Sequence, residues 1–304
     1  MNRPDISPPG FHRRLFHFRL PRCESSVTDF HPLLSYGLYP LLFVAMATYA
    51  WFELSQPAAQ LGRYYGYYTF ALISLLMIIE AIHPLRTEWK MTTRSFFRRD
   101  LPWLAIGAVT LGLAQYAAGW LVIKVGIARG TAHQEMPLIA SVVLALLITD
   151  FAWYWVHRWS HEARGPVGRF LWKLHVAHHL PQQVYVLMHA VAHPLNALVV
   201  RAILTVPLFY LGFSTEAVFV TSLVVGLQGL VSHFNVDMRT GWWNYVLVGT
   251  ELHRNHHSAD PREAKNYGAT IPLWDLLFGT FYYRPKELPQ RYGVVDPERY
   301  PQDR

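Results

Sequence analysis

A single cysteine in 304 residues excludes a disulfide framework, a cysteine-rich zinc module and an iron–sulfur cluster. Charge is scarce too. Asp, Glu, Lys and Arg supply 15% of the chain, against about 25% in an ordinary soluble domain, which excludes a disordered protein. There is no glycine-rich dinucleotide fingerprint, and residues 1–32 hold no apolar core of the kind a secretory signal needs. What abounds is apolar, 52% of the residues.

The apolar residues fall in long runs: Tyr36–Leu54, Gly66–Ile82, Leu101–Val125 and Pro137–Val156, each about long enough to cross a bilayer. Two further runs, Asn196–Phe213 and Thr215–Val231, are separated by almost nothing and read as a tight hairpin dipping into the membrane, its first arm kinked by Pro207. Lys plus Arg outnumber Asp plus Glu by 27 to 20. The N-terminal segment holds Arg3, Arg13, Arg14, Arg19 and Arg22. The 55–65 connection holds Arg63 alone. The 86–99 connection holds Arg86, Lys90, Arg94, Arg98 and Arg99, and the 124–136 connection holds Lys124 and Arg129. This alternation predicts four spans with both termini inside, so the basic balance needs no nucleic acid. The expected fold is an all-α integral membrane protein: four transmembrane helices, a membrane-dipping hairpin and a cytosolic helical cap. Residues 1–32 read as a tail, 33–136 as transmembrane, 137–283 as the catalytic domain and 284–304 as a surface tail.

Eleven of the 16 histidines lie between 157 and 257. His157 and His161 form H-x-x-x-H, one helix face at four-residue spacing. Asp150, seven residues earlier on that stripe, is a candidate to orient an imidazole. His175, His178 and His179 form H-x-x-H-H, as do His253, His256 and His257. On a helix, positions i and i+3 share a face and the next residue is turned by about 100°, so such a triplet can serve two neighbouring metals from one turn. Eight imidazoles exceed the three or four protein ligands of one zinc and suit two metals, with zinc, copper, iron or nickel all open. His193, before the hairpin, and His233, after it, are expected to complete the site; His189 is not. His12, His17, His31, His83 and His133 read as tail or loop residues. Trp153, Tyr154, Trp155 and Trp159 read as an interfacial aromatic belt, with the mouth of a lipid cavity as the alternative.

This order of boxes resembles the fatty acid hydroxylase/sterol desaturase superfamily of membrane di-iron oxygenases. The context Asp150–Arg158 is similar to that family's entry into its first box. Asn266-Tyr267-Gly268, Leu273-Trp274-Asp275 and Phe278-Gly279-Thr280 are similar to the stretch after its third box. Only 13 residues, 162–174, separate the first two boxes, unlike acyl-CoA desaturases, and Asn196 stands where sterol methyl oxidases carry glutamate. The resemblance implies two iron ions, O2 as co-substrate, and two electrons from a separate ferredoxin, flavoprotein or cytochrome. The expected reaction hydroxylates or desaturates an unactivated C–H bond of a fatty acyl chain, sterol or carotenoid at a bacterial inner membrane. Two other readings stay open: a membrane zinc hydrolase using part of the same histidines, and a non-enzymatic metal transporter or sensor.

Overall fold

The computed structural model describes residues 32–125 and 136–300. The N-terminal tail with its arginines and His12, His17 and His31, the connection with Arg129 and His133, and the last four residues lie outside the described residues. Among those described there is no β-strand, only an isolated bridge between Ser258 and Tyr292.

The long helices are α1 (Pro32–Leu54), α2 (Tyr65–Ile82), α3 (Leu101–Val125), α4 (Leu138–Glu162), α6 (Pro194–Leu211) and α7 (Thr215–Ser232). Between α4 and α6 runs α5 (Gly165–His179); α8 (Thr250–His256) and the short α9 (Leu273–Leu277) follow α7. Five of these helices are long and apolar enough to span a bilayer: α1 from Leu34, α2, α4, α6 and α7. Both arms of the expected hairpin reach that length. The turn between them rests on Gly212, at φ 79°, which donates its N–H back to the carbonyls of Leu208 and Phe209, and on Ser214, whose hydroxyl caps α7 by accepting the Ala217 N–H. Pro207 sits inside α6 without ending it.

Polar clamps gather the helix ends at one end of the bundle. The Arg239 N–H donates to the Ser35 carbonyl at the start of α1 (2.8 Å). At the end of α2, the buried Glu80 carboxylate accepts the N–H groups of Val186 (2.9 Å) and Asn235 (3.2 Å). Just before α3, Asp100 accepts the Tyr185 hydroxyl at 2.6 Å. These clamps fix the two segments that come after α5 and α7, and those segments carry histidines.

Candidate metal centre

Helix α4 carries His157 and His161 on its last two turns and stops at an elbow that sends α5 back across it. Gly165 takes φ +91°, and a Cβ on Gly168 would fall 2.1 Å from the Ala163 carbonyl oxygen, so only glycine fits that crossing. Pro166 starts α5 in its first turn. The second triplet ends α5 and the third spans α8 and its C-cap.

Nine histidines converge in two groups. His157, His161, His175, His179 and His256 form one; His178, His233, His253 and His257 form the other. Within each group the ligand-capable nitrogens lie within 4.8 Å of one another. Each triplet is divided between the groups, but not along the i, i+3 pairing that spacing suggested. The i, i+4 pairs (His175 with His179, His253 with His257) stay together and the i+3 member goes to the other group. Four residues leave a residual turn of about 40°, three leave about 60°, so i+4 is the closer match in direction.

The rings are aimed by backbone carbonyls. The Nδ1–H of His157 donates to Tyr267 (2.7 Å), of His178 to Val191 (3.1 Å), of His233 to Gly229 (2.9 Å) and of His256 to Lys265 (2.9 Å). Each bond turns Nε2 inward, the usual way a ligating imidazole is held. Inside, nitrogen meets nitrogen: Nε2 of His157 and of His179 each lie 3.0 Å from Nε2 of His175, and Nε2 of His233 lies 2.9 Å from that of His253 and 3.1 Å from that of His178. The Nε2 atoms of His161 and His256 are buried with no partner. Burial, then the neighbouring imidazoles, hold His175, His179, His233, His253, His256 and His257 well below the ordinary histidine range; burial and His189 take His178 to about 4. Neutral rings with converging lone pairs fit transition-metal cations and little else.

A second layer supports the first. The loop 266–270 supplies the Tyr267 carbonyl to His157. Asn266, at φ 62°, bonds the Leu252 and Tyr282 carbonyls through its amide and the Tyr282 N–H through its oxygen. Asp275, pushed up to about 6 by burial, accepts the N–H groups of Tyr267 (2.7 Å) and Gly268 (2.8 Å) and the Thr280 hydroxyl (2.6 Å). Asp150 corrects the expectation placed on it: it meets no imidazole. Its Oδ1 accepts the N–H groups of Ala269 (3.1 Å) and Thr270 (2.7 Å), so it acts on the loop. Seven residues along a helix return to the same face but nearly two turns away, beyond the reach of an aspartate.

His233 joins the second group as expected. His193 joins neither: its Nδ1 accepts the Leu195 N–H at 3.2 Å and caps α6, a local bond that turns the ring to its own helix. His189 packs its ring on Gly229, 5.5 Å from the His233 ring. The aromatic belt divides. Trp159 is exposed, but Trp153 is buried and stacks on His157 (5.0 Å), and Tyr154 is buried and bonded to Thr280 (2.9 Å). The segment read as a surface tail returns to the third triplet: the Gly293 N–H donates to the His257 carbonyl (3.0 Å), and Tyr292 packs edge-on against Trp89.

Residues 142–280 match the family described as fatty acid hydroxylase. Among curated proteins the chain is similar to an ornithine lipid hydroxylase, OlsE, of Rhizobium tropici: 27% identity over 271 residues, 85% of this chain and 78% of that protein. It is similar to lathosterol oxidase of Rattus norvegicus, 27% identical over 73% of this chain and 72% of that protein. It is similar to alkylglycerol monooxygenase of Homo sapiens, 26% identical over 50% of this chain but only 33% of that protein. No solved structure matches it significantly.

Proposed function

Since the chain belongs to the fatty acid hydroxylase/sterol desaturase superfamily, with its hydroxylase domain at residues 142–280, we propose that this integral membrane protein is a di-iron enzyme that hydroxylates a membrane lipid with O2. The observation that carries the reading is the division of nine inward-facing imidazoles into groups of five and four. His157, His161, His175, His179 and His256 would hold one iron, and His178, His233, His253 and His257 the other. Bound there, iron supplies the O2-reducing chemistry that an unactivated C–H bond demands.

The rest of the work belongs to the chain. Carbonyls of Tyr267, Val191, Gly229 and Lys265 fix tautomer and direction of four rings. Trp153, one turn deeper in α4 than His157, closes the bundle side of the first group with an apolar face and keeps water from it. The substrate approaches from that side, between the spans. Ornithine lipid is the first substrate to offer, because the match to OlsE runs over most of both chains. The histidine end is the cytoplasmic one in this reading, since the arginine-rich 86–99 connection lies there and the Arg63 connection lies opposite.

The test is metal content per chain in freshly purified, detergent-solubilised protein, beside His256→Ala and His253→Ala, one from each group. About two irons in the wild type, fewer in each variant, with an O2-dependent gain of one oxygen in ornithine lipid, is the expected result. One zinc, unaffected by His253→Ala, overturns it in favour of the hydrolase.

A further inference from the structure

A cleft of about 430 Å³ opens beside the first histidine group, on the face away from the spans. His161, His179 and His256 reach its floor. Its walls come from the α4–α5 elbow, from α5 and from residues 258–300, so no lipid-facing helix surface contributes to it apart from the last turn of α4. Of its basic residues, Lys265 is held by Glu162 (2.6 Å) and Arg299 by Asp296 (3.2 Å). Arg164 and Arg169 have no acidic partner among the described residues. Trp172 stands between floor and rim. Its ring lies 5.3 Å from His161 and 6.0 Å from His179, and its indole N–H donates to the Tyr300 hydroxyl at 2.9 Å.

Resting on the function proposed above, we propose that this cleft is the docking site of an acidic one-electron carrier protein, with Trp172 and Tyr300 as the contact from carrier to histidine group. Hydroxylation consumes R–H, O2, two electrons and two protons and yields R–OH and water. The two electrons come in two encounters from a reduced iron–sulfur or haem carrier. With one cysteine and no dinucleotide fingerprint in 304 residues, the chain has no means of its own to relay them from a nicotinamide. Two arginines with no acidic partner among the described residues, beside an opening that leads to the histidines, attract an acidic face, and they speed encounter in a salt-dependent way. Rate of electron transfer falls steeply with distance, and Trp172 is the aromatic ring that bridges rim and imidazoles.

The experiment uses the full, metal-loaded chain in detergent and a plant-type [2Fe–2S] ferredoxin, an acidic carrier, as probe. Binding is followed by thermophoresis from low to high NaCl. Electron transfer is followed anaerobically by the return of the oxidised ferredoxin's colour. Wild type should bind at low salt and release as salt rises. The double variant Arg164→Glu/Arg169→Glu should bind at least tenfold more weakly and should gain affinity for basic cytochrome c. Trp172→Leu should bind as wild type but accept electrons at least tenfold more slowly. Ferredoxin affinity unchanged by the charge reversal, or absent from the wild type at low salt, overturns the docking site; wild-type transfer in Trp172→Leu overturns the contact. Dithionite tells a failure of the cleft from a failure of the oxygenase reading. If it delivers two electrons per chain to every variant, a failure at the cleft is the cleft's own. If it delivers none to the wild type, the oxygenase reading itself falls.

Discussion

Asp275 governs His157 without touching it. The carboxylate accepts the Tyr267 N–H at 2.7 Å, and the carbonyl of the same Tyr267 accepts the His157 Nδ1–H at 2.7 Å, so one residue's backbone passes the constraint across. Asp275→Ala leaves three donors without their acceptor, at a cost of about 3 kcal/mol. It should weaken metal retention ten- to a hundred-fold. Chelator competition and melting measure both. Asp275→Asn, which keeps one acceptor oxygen, should fall between.

Gly268 tests the same loop by steric means. A Cβ there would lie 2.4 Å from the Ile271 carbonyl oxygen and close to both Asp275 and Asp150. Gly268→Ala should cost more than about 2 kcal/mol. Gly66, in α2, has nothing within 4 Å of its Cβ direction, and Gly66→Ala should be neutral or slightly stabilising. Equal melting temperatures for the two variants would show that the loop is not packed this tightly.

Glu80 should separate the two histidine groups. Its carboxylate holds the Val186 and Asn235 N–H groups, and Asn235 is two residues from His233. Glu80→Ala should cost about 2–4 kcal/mol and lower metal content chiefly at the His178, His233, His253 and His257 group. Metal analysis would then give about one ion per chain, with His256→Ala removing most of what remains.

Acid should unfold the metal-free protein early. The imidazoles outside the spans titrate below their unfolded value of 6.5, His178 at about 4. Folding therefore binds fewer protons than the open chain does. The stability they confer is complete above pH 6.5 and is lost as pH falls from 6.5 toward 4. Chelator-treated protein should show one melting temperature at pH 8 and 7 and lower ones at 6 and 5. A flat profile down to pH 5 contradicts the buried, neutral assignment.

The three boxes were legible because helix periodicity writes ligand geometry into spacing, and His233 because a chain leaving a hairpin must return to the face it left. His193 misled because its surroundings look the same in sequence, while a local cap competes for its ring. Asp150 was found for the wrong reason: spacing gave its stripe but not its distance from the imidazoles. Asp275, Asn266 and Glu80 act through backbone N–H and carbonyl groups between 7 and 155 residues away, and side-chain patterns carry no trace of such bonds. The burial of Tyr154 depends on residues 267–280 covering α4, and Trp153 packs on His157 and on His175 of α5, neither of which composition could show.

Division of each triplet between two groups has a consequence for how the protein is made. Among the described residues, the five helices long and apolar enough to span a bilayer all end by Ser232, yet both groups need residues from the third triplet, 253–257, which the Lys265 carbonyl holds at His256 and the Gly293 N–H holds at His257. In chain order, the apolar helices are therefore complete before either histidine group is. A ribosome stalled near codon 240 would leave a chain with its apolar helices complete and both histidine groups still lacking their third-triplet members.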